Sequence, residues 1–200
     1  TRYHAEMLAE GLIEKIYDVQ CFDLAAVKSI SENPNHIEIS ASQYANPYED
    51  AVVNKLDFVV LGATEIDLNF NVNVTTASTG LIMGGSGGHS DTAAGAKVTV
   101  IVTPLMKSRL PIIRPEITTV TTPGEDVDVL VTERGIAINP RRVDLLEKLQ
   151  GSKLKLVPIE ELFRLALSYT GVPEEKKRSG RVIGVVRYRD QTIIDTLYQM

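Results

Sequence analysis

An α/β fold is what this sequence predicts, in three layers, with helices on both faces of an open, mostly parallel sheet and an antiparallel hairpin at one end. Three observations carry that expectation. Segments of helical spacing alternate with short strand-like runs along most of the chain. Residues 57–61, DFVVL, are a continuous apolar run of the kind buried on both faces of a parallel sheet. Residues 64–75, TEIDLNFNVNVT, alternate with period two, which marks a hairpin or meander rather than another crossover.

In chain order, residues 4–13 place Met7, Leu8 and Leu12 at helical spacing, and 15–22 follow with strand character. Asp23 is a good N-cap, because its carboxylate accepts the free N–H groups of a first turn, for a helix through residue 29 or 30 that Asn33-Pro34 ends. Residues 36–40 alternate as a short strand, and 48–56 suit a helical turn. After the hairpin segment and a glycine-rich stretch, 92–96 allow only a short helix before a strand at 98–102. Pro104, Pro111, Pro115 and Pro123 cannot donate to a ladder, so 104–125 reads as irregular or edge structure. Short strands follow at 127–131 and 136–138, then a helix that Pro140 opens and that runs to residue 149, and a strand at 154–157. Pro158 stands at the start of a helix over 159–169, where its missing N–H costs nothing. A polar, breaker-rich stretch at 171–180 precedes a strand at 181–188, a turn at Asp190-Gln191 and a last apolar run at 192–197.

The composition is that of an ordinary globular chain, and 200 residues suit one domain over 1–200. A net charge of -5 argues against nucleic acid as a partner, since phosphate-backbone binding draws on clustered Lys and Arg. The short patch Lys176-Lys177-Arg178 reads as a solvated loop. One cysteine, Cys21, permits no internal disulfide and no Cys cluster for zinc. Three scattered histidines, with no HExxH, point to no metal, and Cys21 beside Phe22 in a predicted strand reads as a small buried hydrophobe. With no long uncharged apolar run there is no membrane span or secretory segment, and a cytoplasmic location is expected. The chain opens at Thr1, without Met, inside a helical pattern, and is therefore expected to be part of a longer one.

The chemistry concentrates in GLIMGGSGGHSDTAAGA, residues 80–96. Gly84, Gly85, Gly87 and Gly88 let the backbone approach a ligand closely, and successive N–H groups in such a loop form a nest for an oxyanion or phosphate. A plain turn explains them equally well. The loop is neither GxGxxG nor a P-loop, which argues against nucleoside triphosphate chemistry. His89 is the best placed histidine for function, with a role in hydrogen-bonding the loop as the alternative; Asp91 reads as a cap of the following helix. Glu65 and Asp67 share one strand face, as an acid/base pair or, more commonly, as a solvated face. Asn69, Asn71 and Asn73 repeat that register as a polar ladder opposite Leu68, Phe70, Val72 and Val74.

Taken together, SQYANP (42–47), LDFVVLGATEIDLNFNVNV (56–74), GGSGGHSDTAAGAK (84–97) and TERGIAINPRR (132–142) resemble the carboxyl-terminal half of the citrate lyase alpha-chain family. The resemblance runs from about residue 3 to the closing YRDQTIIDTLYQM, and GGSGGHSD is more distantly similar to a Gly-Gly-x-Gly-Gly segment of the wider CoA-transferases. It implies a CoA-transferase-like domain that exchanges acetyl on an acyl-carrier thioester for citrate, giving citryl-carrier and acetate. Gly84, Gly85, Gly87, Gly88 and His89 would face the thioester, with Asn46, Glu65, Asn71 and Asn73 beside substrate carboxylates or the pantetheine arm. No cofactor is expected on this chain itself; the thioester belongs to CoA or to the CoA-like group of a carrier subunit. The implied partners are the acyl-carrier (gamma) and lyase (beta) subunits, in a homo-oligomer or larger complex. Many CoA-transferases use a glutamate in Ser-Glu-Asn-Gly; the strand that corresponds here is YDVQCF, and Ser31-Glu32-Asn33-Pro34 falls at a predicted helix end. This branch is thought to react through an anhydride without a glutamyl thioester, so the catalytic residue stays unassigned. A CoA-transferase for another carboxylate, a phosphosugar isomerase or deaminase on the same fold, and a non-catalytic binding module are the alternatives.

Overall fold

The computed structural model describes residues 1–173 and 180–199, so Lys176-Lys177-Arg178 lies outside the described residues. The chain divides into two compact units, Thr1–Val52 and Val53–Met200, and the sequence boundary falls in a 3-10 turn at Val52–Lys55.

The first unit contains α1 (Arg2–Ala9), β1 (Ile16–Asp18), α2 (Leu24–Glu32), β2 (His36–Glu38) and α3 (Ala41–Ala45). β1 and β2 pair in parallel, with Ile16 opposite His36 and Asp18 opposite Glu38. Asp23 caps α2 as its sequence position predicts, accepting the Ala26 N–H at 2.9 Å, while its other oxygen accepts the Arg2 N–H at 2.7 Å. α3 is an addition to the expected elements. Ser40 and Gln43 form a reciprocal capping box there, a Ser-x-x-Gln signal present in the sequence. The strand expected over 15–22 stops at Asp18, because Asp18 turns its carboxylate back onto the Gln20 N–H at 2.9 Å and bends the chain out of the ladder. Cys21 therefore sits in a loop rather than buried in a strand.

The second unit begins with β3 (Val59–Leu61), β4 (Glu65–Asp67), β5 (Val72–Asn73), α4 (His89–Gly95), β6 (Thr99–Val102), β7 (Met106–Lys107), β8 (Leu110–Pro111) and β9 (Ile113–Arg114). It continues with β10 (Val129–Thr132), β11 (Gly135–Ile138), α5 (Val143–Leu149), α6 (Ile159–Thr170), β12 (Val182–Arg187) and β13 (Ile193–Tyr198). Its largest sheet has the order β11-β10-β6-β3, parallel except for the antiparallel edge β11. β4 pairs antiparallel with β5, the hairpin that the period-two segment predicts, and parallel with β9.

The mixed α/β class holds, with four parallel strand pairs in three sheets, but the described strands divide among five sheets instead of joining one. The prolines of 104–125 cut that stretch into the two-residue strands β7 to β9. DFVVL lies at a sheet edge, not between two buried faces: Phe58 and Val60 stay 66% and 58% exposed. The strand expected at 154–157 contracts to one bridge, Leu156 to Ile136, and α5 starts at Val143, three residues after Pro140. The core gathers Ile66, Phe70, Ile101, Ile113 and Leu130 with Leu162 of α6.

Candidate functional site

The site is built from β4 upward. Glu65 and Asn73 are Cα partners across the hairpin, so their side chains share a face, and the Asn73 amide donates to Glu65 Oε2 at 2.9 Å. That face is buried, not solvated: Glu65 and Asn73 are 0% exposed. Glu65 also accepts the Thr118 N–H at 2.9 Å and pairs with Arg114 Nε at 3.3 Å. Burial pushes the Glu65 carboxyl up, but hydrogen bonds from Ser78, Thr118 and Asn73 outweigh it and hold the group below its ordinary range, ionised.

The polar ladder ends at the turn. Asp67 accepts the N–H groups of Asn69 and Asn71 at 2.9 and 3.0 Å and the Asn71 amide at 3.0 Å, while Asn71 Oδ1 takes the Gly124 N–H at 2.8 Å. Asn71 therefore fixes the turn and does not line up with Asn73. Phe70, buried in this turn, holds φ at 66°, a conformation costly for a bulky residue. Gly124 is required there, since a Cβ would stand 1.9 Å from the Asn69 carbonyl oxygen.

From Asn73 the network passes to the threonines of 118–122. Asn73 Oδ1 accepts the Thr75 and Thr76 N–H groups, Thr76 meets the Thr119 hydroxyl at 2.8 Å, and Thr75 meets that of Thr121 at 3.0 Å. Arg114 and this threonine run are the parts of the site that sequence reading passed over. The alternating β-formers TTVTT between Pro115 and Pro123 were the available signal.

The glycine loop is joined to the same network. The Met83 N–H donates to the Thr75 carbonyl at 2.9 Å, and Ile82 bridges Thr76, which lays 81–83 alongside the strand that leaves Asn73. At the far end, His89 Nδ1 lies 2.7 Å from the Thr122 hydroxyl and Nε2 lies 2.9 Å from the Gly62 carbonyl. Burial lowers the His89 pKa, so the ring is neutral; Nε2–H donates to Gly62 and Nδ1 accepts from Thr122. Both nitrogens are thus engaged by the chain, and His89 pins the loop to β3 and to the threonine run. α4 begins at His89 with Gly88 as its N-cap, so Asp91 sits inside the first turn rather than capping it, 3.7 Å from Arg189.

Between these anchors the loop is open. Gly84, Gly85 and Gly87 are exposed, and Leu81, Ile82 and Met83 just before them stay 69%, 49% and 54% exposed. A Cβ at Gly84, Gly85 or Gly87 would meet nothing within 4 Å, and of the four loop glycines only Gly87 has a positive φ, 56°. Among the described residues, none of the backbone N–H groups of 84–88 donates to another group of the chain. The loop offers an array of free amide donors on a fixed frame, suited to an oxyanion or carboxylate. Asn46 belongs to the first unit, where it closes α3 by donating to Ser42 and accepting the Tyr48 N–H.

Known proteins match this chain closely. The family model described as citrate lyase, alpha subunit (CitF), matches residues 1–200. The citrate lyase alpha chain of Haemophilus influenzae is 52% identical over 191 residues, covering 95% of this chain and 38% of that protein. The Escherichia coli citrate lyase alpha chain is 50% identical over 192 residues, with 96% and 38% covered. The chain thus spans under two fifths of the length of these relatives. The crystal structure of a putative citrate lyase alpha subunit from Streptococcus mutans, in complex with citrate, superposes with a TM-score of 0.95 at 45% identity, over 98% of this chain and 39% of that one. With the family model spanning the whole sequence, the chain belongs to the citrate lyase alpha-subunit family.

Proposed function

We propose that this chain is the acyl-exchange region of a citrate lyase alpha subunit, with a CoA-transferase-like three-layer arrangement completed by the rest of a longer chain. In this reading it exchanges acetyl on the thioester of CoA, or of a carrier subunit's CoA-like group, for citrate, giving citryl thioester and acetate. Acyl-carrier and lyase subunits are its partners in the complex. The observation that carries the reading is the row of free amides at 84–88, held by His89 at one end and the Thr75–Met83 pairing at the other.

A citrate carboxylate attacks the acetyl thioester to give a mixed anhydride and the free thiolate, and the thiolate then attacks the citryl carbonyl and expels acetate. Each step develops negative charge on a carbonyl oxygen, which fixed N–H donors stabilise without reorganising. The Gly84 and Gly85 surfaces leave room for a thioester to lie against the backbone, which a side chain would fill. Citrate in the Streptococcus mutans protein supports a tricarboxylate as the acceptor. Glu65 serves the loop indirectly: ionised and fully hydrogen-bonded, it orders Asn73 and the threonines on which the loop rests.

The test is citrate-dependent release of acetate by the full-length enzyme, assayed with acetyl-carrier and with acetyl-CoA. Release from at least one donor, stoichiometric with citryl thioester, is expected. No release from either would end the reading.

A further inference from the structure

Apart from the glycine loop, the first unit brings together three side chains that the sequence scatters. Asp18 at the end of β1, Cys21 in the loop that follows and His36 at the start of β2 place their ligand atoms within 4.8 Å of one another. The Cys21 Sγ–Asp18 Oδ2 and His36 Nε2–Asp18 Oδ2 separations are both 3.3 Å. The His36 side chain is 1% exposed and that of Asp18 10%. Ser29 of α2 holds the other ring nitrogen, Nδ1, at 3.0 Å, which aims Nε2 at the other two groups.

We propose that Asp18, Cys21 and His36 form a binding site for a zinc-class divalent cation. Metal–ligand bonds of about 2.0–2.3 Å in a tetrahedron put neighbouring ligand atoms roughly 3.3–3.7 Å apart, and two of the three edges already have that length. The S, N, O donor set selects a borderline-soft ion such as Zn²⁺ over Mg²⁺ or Ca²⁺, which take oxygen ligands. Binding needs little rearrangement. The Cys21 thiol proton leaves to solvent, and His36 adopts the tautomer with Nδ1–H donating to Ser29 Oγ and a lone pair on Nε2 facing the ion. Water takes the fourth position.

The surroundings give the ion a structural purpose. The three ligand residues come from β1, the loop after it and β2, so one ion would bridge segments that are separate in the sequence. Here the ion would tie the 19–22 loop to the β1–β2 pair across α2.

The chain's one cysteine makes the test specific. The full chain, stripped with a chelator and titrated with Co²⁺, should take up one ion in this unit and develop visible bands of a tetrahedral site together with a thiolate-to-cobalt charge-transfer band. Zn²⁺ should displace the cobalt and protect Cys21 from alkylation, whereas Mg²⁺ should do neither. Cys21→Ser, checked for native circular dichroism, should lose the charge-transfer band, and Ser29→Ala should weaken Zn²⁺ binding by roughly tenfold or more. Cobalt uptake without a thiolate band, alkylation of Cys21 unaffected by Zn²⁺, or equal Zn²⁺ affinity in folded Cys21→Ser would each overturn the site.

Discussion

Two polar regions of the second unit lie side by side and are built on opposite terms. The Glu65–Asn73–Thr cluster is buried and spends its hydrogen-bonding groups on itself, whereas Gly84, Gly85 and Gly87 are exposed and the N–H groups of 84–88 donate to no group among the described residues. Buried polar groups need partners because an unmade hydrogen bond there costs free energy; exposed amides are satisfied by water and can exchange it for a ligand. On the proposed function, the difference separates support from reaction surface. Polar residues in the cluster should act on stability, and positions in the loop should act on activity.

Glu65→Gln should break this division most severely on the support side. It removes the charge that faces Arg114, whose buried Nη1 has no hydrogen-bond partner among the described residues, and removing one member of a buried ion pair costs about 3–5 kcal/mol. Urea denaturation of wild type and variant reads that loss; a difference under about 1 kcal/mol would show that the cluster is not a support. The acid side follows from the same carboxylate. Its folded pKa lies below its ordinary value of 4.5, so its contribution is fully present above 4.5 and is lost as pH falls through the lowered value.

His89 stands at the border of the two regions, and His89→Ala should cost an intermediate amount, about 1–3 kcal/mol, by leaving Thr122 and the Gly62 carbonyl without their partner. Its folded pKa is depressed by burial, so the unfolded chain takes up a proton first. Stability from this residue is therefore present above 6.5 and declines as pH drops from 6.5 toward the folded value. Melting temperatures of wild type and His89→Ala should converge as pH falls through that window. A constant gap would mean that His89 does not titrate as a buried neutral ring.

How much of this was legible beforehand depends on the range of the interaction. The Asp23 cap and the β4–β5 hairpin were readable because a carboxylate three residues from a free N–H, or a period-two run, is a local signal. The same period predicts that Glu65 and Asn73 share a face, but not that Asn71 leaves the ladder for the turn, nor that the polar face is buried as well as the apolar one. That depends on Arg114 and the threonines, some fifty residues away in the chain, arriving over it. Asp67 was placed on the correct face, yet its role came from the turn that Phe70 makes with φ at 66°, which no pattern in LNFN announces. The glycine loop is legible from composition alone; that no described residue stands within 4 Å of a Cβ at Gly84, Gly85 or Gly87 depends on the tertiary fold.

The loop glycines supply the smallest expected stability effects and the sharpest form of the comparison. At Gly87 the backbone lies at φ 56°, so Gly87→Ala should cost about 1–2 kcal/mol from conformation alone, with no steric contact to add to it. At Gly85 neither strain nor a clash applies, and alanine also restricts the unfolded chain, so Gly85→Ala should leave stability within about 0.5 kcal/mol or raise it slightly. If the amides there receive the reacting oxygen, the added methyl occupies the approach to them. Acetate release should then fall by roughly the 10²-fold expected when an oxyanion donor is lost, although the protein melts as before. Unchanged turnover in Gly85→Ala and Gly84→Ala together would move the loop to the support side and overturn its reading as an oxyanion nest.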